Sequence, residues 1–399
     1  MTSPSTDPST EPGAEPSFPA CVPVLTDGHV LLRAHRESDA ERIVEQSQDP
    51  ESIAWTTIPA PYGPDDARQF LELIAGDWER PDGNRSWAIT AASDPDTLLG
   101  TIDIRPSGSG LASIGFGLHP QGRGRGLMTA AVRLATQWWF DRGGVRMHWE
   151  ANRGNFPSWR VAHSCGFIFH GTVPQSLLQR GEVMDAWTGS IGLDGDLTKP
   201  VTPWHEPAVL EGAGIRLRPW RESDADALEP PDTPAHFAPG IPPTAETFAE
   251  WLLVRRERAA FNQATHWCIA DLSTDRALGQ VLLIDRGQQP GSAELGYQLF
   301  PSARGRGAAT RAGRLVLAHA FSPAEQGGRG LRRVMALSVA DNEASAAVLE
   351  RLGFTQWGRE PQFCAREDGT YDDARHWVLH RSHSDAKEAT SKEIPATSR

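Results

Sequence analysis

Pro120-Gln121-Gly122-Arg123-Gly124-Arg125-Gly126-Leu127-Met128-Thr129 is a glycine-rich turn set between two apolar runs. Before it, Ala112 to Leu118 is short and predicts a half-buried strand. After it, Leu127, Ala130, Ala131, Leu134, Ala135 and Trp138 recur at i, i+3, i+4 and i+7, which predicts a helix with one apolar face. A glycine turn feeding a helix start offers free backbone N–H groups and the positive end of the helix dipole, and both attract phosphate. Glycine permits close backbone approach and positive φ, while Arg123 and Arg125 can add charge-assisted bonds to phosphate oxygens. Taken alone, the turn describes a flexible basic loop as well as an anion cradle.

A second copy changes that balance. Pro301-Ser302-Ala303-Arg304-Gly305-Arg306-Gly307-Ala308-Ala309-Thr310 repeats the pattern 181 positions later, again after a strand-like run (Ala293 to Phe300) and before a helix-like one (Ala308, Ala312, Leu315, Val316). Other segments repeat in step. Leu31-Leu32-Arg33 leading to Ser38-Asp39-Ala40 matches Arg216-Leu217-Arg218 leading to Ser223-Asp224-Ala225, a strand followed by a capped helix start. Trp87-Ala88-Ile89 matches Trp267-Cys268-Ile269, and Asn155-x-x-Ser158 ending in Gly166-Phe167 matches Asn342-x-x-Ser345 ending in Gly353-Phe354. The period is far too long for a solenoid, so each copy is a complete mixed α/β domain. The order in each is strand, helices, three strands, glycine turn, helix, strand, helix, strands. Drift in the offset, from 179 to 187, places insertions in loops.

The expected division is a tail at 1–20 without structure, a domain at 21–193, a Pro-rich linker at 194–207, a domain at 208–381 and a second tail at 382–399. The chain has 399 residues, 39% hydrophobic and 8% aromatic, enough for each domain to bury a core. A formal net charge of -12 argues against nucleic acid as a partner. Cys21, Cys165, Cys268 and Cys364 are scattered without C-x-x-C spacing, so no disulfide framework and no metal site is expected. With no signal-like start and no membrane-length apolar run, the expectation is a cytoplasmic protein with no membrane partner, monomeric or homodimeric.

These residues resemble the GNAT superfamily of N-acetyltransferases, most closely the branch containing the ribosomal-protein N-terminal acetyltransferases. The resemblance rests on the glycine turn, on the Asn-x-x-Ser helix ending in Gly-Phe, and on the Leu-Arg strand followed by Ser-Asp-Ala. It implies two tandem GNAT-like acyl-CoA N-acyltransferase domains that use acetyl-CoA as cosubstrate and no metal. Carried over, Gln121, Gly122, Arg123, Gly124, Arg125, Gly126 and Thr129 bind one CoA, with Ile114 to Leu118 along its arm. Arg304, Gly305, Arg306, Gly307 and Thr310 serve a second, with Leu295 to Leu299. Asn155 and Asn342 would contact the cofactor, and each reads equally well as a helix cap. Two departures stand out: Ser302 replaces the Gln or Arg that opens the turn, and Ala162 and Leu349 occupy positions where many members carry a tyrosine acid.

The implied reaction moves an acetyl group to a primary amine, of a protein N-terminus or of a small molecule. Such an amine has a pKa near 10.4, so a carboxylate or an ordered water must take its proton. Glu150 on one strand of the first copy and Glu294 on a different strand of the second are the candidates, each also explicable as a solvated strand-edge charge. Trp55, Pro61 and Tyr62 form an aromatic loop on the acceptor side of the first copy; Phe237, Pro242 and Pro243 stand there in the second. Trp138 and Trp139 continue a helix face and belong to the core. The alternatives are an acetyl-CoA-binding sensor that has lost turnover, and a tandem acetyltransferase resembling the one that completes mycothiol.

Overall fold

The structure, a computed structural model, describes residues 22–230, 243–285, 289–366 and 369–381; the expectations for both tails and for Phe237 and Pro242 lie outside these. The chain divides into two units between Val201 and Thr202. The first contains β1 (Leu25–Thr26), β2 (Val30–Arg33), α1 (Ala40–Gln48), α2 (Pro50–Trp55), α3 (Pro64–Glu79), β3 (Arg85–Ala91), β4 (Gly100–Gly108), β5 (Leu111–Leu118), α4 (Leu127–Phe140), β6 (Arg146–Asn152), α5 (Phe156–Ser164), β7 (Ile168–Gln179) and β8 (Glu182–Gly192). The second contains β9 (Leu210–Gly212), β10 (Ile215–Arg218), α6 (Phe248–Ala260), β11 (Ala264–Asp271), β12 (Ala277–Asp285), β13 (Ser292–Leu299), α7 (Ala308–Phe321), β14 (Arg333–Val339), α8 (Glu343–Arg351), β15 (Thr355–Ala365) and β16 (Tyr371–His380).

Each unit has one eight-stranded mixed sheet with the same topology, β1-β2-β3-β4-β5-β6-β8-β7 in the first and β9-β10-β11-β12-β13-β14-β16-β15 in the second. Both agree with the expected mixed α/β architecture. Alternation along the strands assigns the faces. In the second unit Trp267, Ile269, Leu283, Ala293 and Leu295 pack with Ala312 and Val316 of α7 and Leu349 of α8. On the other face Cys268, Ala270 and Ala277 meet Phe248 and Leu252 of α6. The first unit repeats this: Ala88 packs with Ile43, Tyr62 and Ala67 on the face covered by α1 and α3, while Trp138 and Trp139 are buried, as expected.

The repeated Leu-Arg and Ser-Asp-Ala segments prove to be one device. Arg33 donates from Nη1 and Nη2 to the two Asp39 oxygens at 2.8 and 2.9 Å, and Arg218 does the same to Asp224 at 2.8 Å each. The same aspartates accept from the backbone N–H of Arg36 and Arg221, closing the turn that starts the helical segment. Both pairs are buried, so removing one partner would strand a charge at a cost of about 3–5 kcal/mol. The aspartate that reads as a cap is thus also the buried counter-ion of the preceding strand.

Candidate functional site

The two glycine turns have the same backbone. After a short 3-10 turn, Gly124 and Gly126 take φ of 69° and 74°, and Gly305 and Gly307 take 73° and 71°. A side chain at any of the four would point into open space, so it is the left-handed backbone and not crowding that calls for glycine there. Gly122 differs: a Cβ on it would lie 2.7 Å from the Leu99 carbonyl oxygen, a packing constraint, and Ala303 fills its place in the second unit. The first internal bonds of α4 and α7 come from Ala130 N to the Gly126 carbonyl and from Arg311 N to the Gly307 carbonyl. The N–H groups from Gly124 to Thr129 therefore have no acceptor among the described residues, nor do those of Gly305 and from Gly307 to Thr310. Each turn is a nest of N–H donors at a helix start, which fits the pyrophosphate of a CoA.

Immediately before each nest the sheet opens. β5 pairs with β6 in parallel from Leu111↔Arg146 to Ile114↔Trp149 and no further, although β5 stays paired to β4 through Leu118 and β6 to β8 through Asn152. β13 and β14 part in the same way after Leu295↔Ala336. Gly115–Leu118 and Gly296–Leu299 thus lose a neighbour on one side, and alternate N–H and C=O groups along them face the gap. A narrow chain with amide groups can pair with such an edge.

The strand registers place both candidate bases beside the point of opening. Glu150 is one residue past the last paired position of β6, and Glu294 is one residue before that of β13. Paired residues of parallel strands share a face, so Glu150 lies on the face of Ser113, and Glu294 on the equivalent face, away from α7 and α8. Burial pushes the Glu150 carboxyl above the usual carboxylate range, toward the neutral region where a general base works best. Tyr297, in the opened part of β13, bonds through its hydroxyl to the Ser345 hydroxyl at 2.8 Å and the Ser345 carbonyl at 3.1 Å. In the first unit Trp149 Nε1 donates to the corresponding Ser158 Oγ at 3.0 Å.

Several expected ligands are engaged elsewhere. Arg123, predicted to reach phosphate, is drawn to Asp49 and to Glu51, the latter at 2.7 Å. Asp49 caps α2, so this arginine locks the nest to that helix. Arg125 is exposed, with one long 3.4 Å bond to the Gln121 carbonyl, and is the better placed cation. Gln121 accepts from Arg42 at 3.1 Å. Arg304 Nε donates to the Leu299 carbonyl at 3.3 Å, while Arg306 is exposed. Asn155 and Asn342 accept from Ser158 N and Ser345 N at 3.1 and 3.0 Å, so each does cap its helix with its oxygen.

On the acceptor side, Tyr62 departs from expectation. It is 9% exposed and packed against Ile43, Ala67 and Ala88, because the loop turns its ring inward onto the sheet. Trp55, 37% exposed, faces out. Its segment is clamped by the tip of the β7–β8 hairpin: Gln179 Nε2 donates to the carbonyls of Ala54 and Thr56 at 3.0 and 3.1 Å, and Arg180 to that of Thr56 at 3.0 Å. Nothing in the sequence pattern pairs residues so far apart. In the second unit Trp220, Trp251 and Phe300 line a small pocket, with Gln280 and Gln298 bonded to each other at 3.1 Å.

The acetyltransferase (GNAT) domain profile matches twice, over residues 29–168 and 215–355. The Bacillus subtilis (strain 168) protein named "Putative ribosomal N-acetyltransferase YdaF" is 32% identical over 141 residues, covering 35% of this chain and 69% of that protein. Among solved structures, Mycobacterium smegmatis RimJ in complex with CoA-disulfide aligns at 18% identity and a TM-score of 0.39, over 44% of this chain and 90% of that one. The ribosomal-protein-S5-alanine acetyltransferase of Vibrio fischeri aligns at 22% and 0.36, over 44% and 98%. With a nest and an opened strand pair in each half, and the family profile matching each half in turn, this chain belongs to the GNAT acetyltransferase family and is a tandem N-acetyltransferase.

Proposed function

We propose that the protein transfers acetyl from acetyl-CoA to a primary amine, of a protein N-terminus or a small molecule, by direct attack. The observation that carries this reading is the junction, in each unit, of an N–H nest with a strand pair that opens beside it. The N–H groups from Gly124 to Thr129 would hold the pyrophosphate, with Arg125 adding charge, and the freed edge of Gly115–Leu118 would pair with the pantetheine amides. Acetyl-CoA, when bound, would supply the acetyl group as an activated thioester whose C–S bond breaks as the amide forms, the CoA thiolate leaving and taking its proton from water. Glu150 would take the proton that the attacking amine must lose, and backbone N–H groups at the opening would stabilise the developing oxyanion. In the second unit Glu294 would take that role. Similarity to a protein named for ribosomal N-acetylation supports a protein N-terminus as acceptor.

A specific contact favours a sensing or structural role for the second nest. The Glu229 carboxylate accepts from the Ser302 N–H at 2.9 Å and from its hydroxyl, which sets a negative charge where phosphate would approach. Calorimetric titration of the full chain with CoA tests the whole reading, followed by mass spectrometry of amine and peptide mixtures treated with acetyl-CoA. Absence of CoA binding would overturn it, and binding without any acetylated product would leave the sensor.

A further inference from the structure

At the end of α7 away from its nest, about 20 Å along the helix axis, the second unit has a half-open cavity of roughly 180 Å³ lined by Trp204, His205, Glu206, Thr265, His319 and Arg329 among others. In the first unit large aromatic rings pack at the equivalent place. Trp138, which occupies the place of His319 in the paired helices, stacks edge-on with Trp78 and Trp87 at centroid distances of 6.1 and 5.1 Å. In the second unit Trp267 keeps the position of Trp87, but meets His319 at 5.9 Å. The connection after the helix also differs: Asp141–Val145 in the first unit becomes Ser322–Arg332 in the second, and the added residues supply Gly327, Gly328 and Arg329 to the wall. Two independent changes, a smaller polar side chain and an inserted loop, thus open the same spot. A space of this size with several polar groups on its wall holds a few waters or a small ligand.

The chemistry of the wall selects the ligand. Arg329 is buried, donating to Thr265 Oγ1 at 3.1 Å and to Asp285 Oδ1 at 2.7 Å. His205 and His319 are held neutral at pH 7: burial depresses both, His205 to about 4, Arg329 depresses both further, and His319 adds to the depression of His205. Glu206 is the acidic residue on the wall, and Asp285 is committed to Arg329. Arg329 is the cation on the wall beside the two imidazoles, and both rings can donate. We propose that this cavity is a binding site for a small oxyanion, of the phosphate or carboxylate class, held between His205, His319 and Arg329 and remote from the acetyl-transfer site. Binding would draw a proton onto the histidines and so tighten as pH falls toward 6.

The test is thermal unfolding and calorimetry of the full chain in sodium phosphate or sodium acetate against sodium chloride at matched ionic strength. His319→Trp installs the residue that closes the first unit and leaves both nests untouched, so any phosphate held at the nests persists in this variant. The expected result is a stabilisation by phosphate or acetate that grows toward pH 6 and an affinity about tenfold weaker in the variant, the equivalent of one charge-assisted hydrogen bond. Whichever anion shows the larger effect identifies the source. If His319→Trp does not fold, His205→Gln gives the same comparison without filling the cavity. Equal responses in wild type and in the variant that folds, or no preference over chloride, overturn the proposal.

Discussion

The two nests have nearly superposable backbone angles, yet their surroundings are wired differently. In the first unit His119 stands at the end of the strand. Its Nδ1 accepts from Gln121 N at 3.2 Å and from Arg42 at 3.1 Å, and its Nε2 faces Glu45 at 3.0 Å. Negative charge therefore reaches the turn through an imidazole and is balanced by Arg42. In the second unit Phe300 replaces that histidine, and Glu229 binds Ser302 directly. The difference teaches that the glycine backbone makes a phosphate site possible, while the residues behind the first amide decide how strongly it attracts an anion.

The sharpest way to break the comparison is at the bases. Glu150→Gln and Glu294→Gln keep size and remove basicity, so loss of the working base should lower kcat by about 10²–10⁴-fold with CoA affinity retained. The other variant should be nearly silent, which identifies the active unit. Because burial raises the Glu150 carboxyl and a base must be ionised, kcat/KM for a first-unit reaction should rise with pH through a value above the ordinary carboxylate range. An acid limb at the usual carboxylate position would exclude Glu150. Equal, full activity of both variants at pH 7 would leave an ordered water as the base.

Next in size are the nests themselves. Gly126→Val and Gly307→Val each force a β-branched residue to positive φ in front of the free N–H groups. Each should weaken CoA at its own unit by about 10²-fold or more, as expected for losing two charge-assisted hydrogen bonds, and leave the other unit unchanged. Calorimetric stoichiometry reads this directly, and a single glycine variant that abolished all binding would show that one unit alone carries CoA.

Arginine substitutions should separate stability from affinity. Arg123→Ala frees Asp49 and Glu51 and should lower the unfolding free energy by about 1–3 kcal/mol, measured by denaturant titration, with CoA affinity changed less. Arg125→Ala should do the reverse and weaken CoA several-fold, roughly the worth of one solvent-exposed charge contact. The smallest effect expected is at Glu229. Its carboxyl is held below the usual range by the Ser302 hydroxyl and N–H, so it is ionised at pH 7. Glu229→Gln should strengthen CoA at the second unit by a few-fold and leave the first unit as it was. No change would remove this carboxylate as the cause of any difference between the nests.

The repeat, the order of elements, the glycine turns and the helices that follow them were all legible in the sequence. They depend on local rules: apolar periodicity, and glycine where φ must be positive. Side-chain destinations were less legible. Arg123 and Arg125 look alike in Gln-Gly-Arg-Gly-Arg-Gly, yet one turns back to α2 and the other faces solvent, because the N-terminal carboxylates of α2 come to rest beside only one of them. Tyr62 and Trp55 share a loop, and the turn between them sends one ring into the core.

By itself the sequence determined that the chain is two copies of one mixed α/β domain, and which turns can cradle an anion, since each motif is a pattern within about twenty residues and the copies recur at a near-constant offset. The tertiary structure decided the rest. The opening between β5 and β6 is a property of register between strands some thirty residues apart, and the Gln179 clamp on Thr56 spans 123 residues. The cavity beside His319 exists because an inserted loop and a missing tryptophan meet at one end of a helix. Such features depend on which distant groups share a space and which of them are buried together, and no local spacing encodes that.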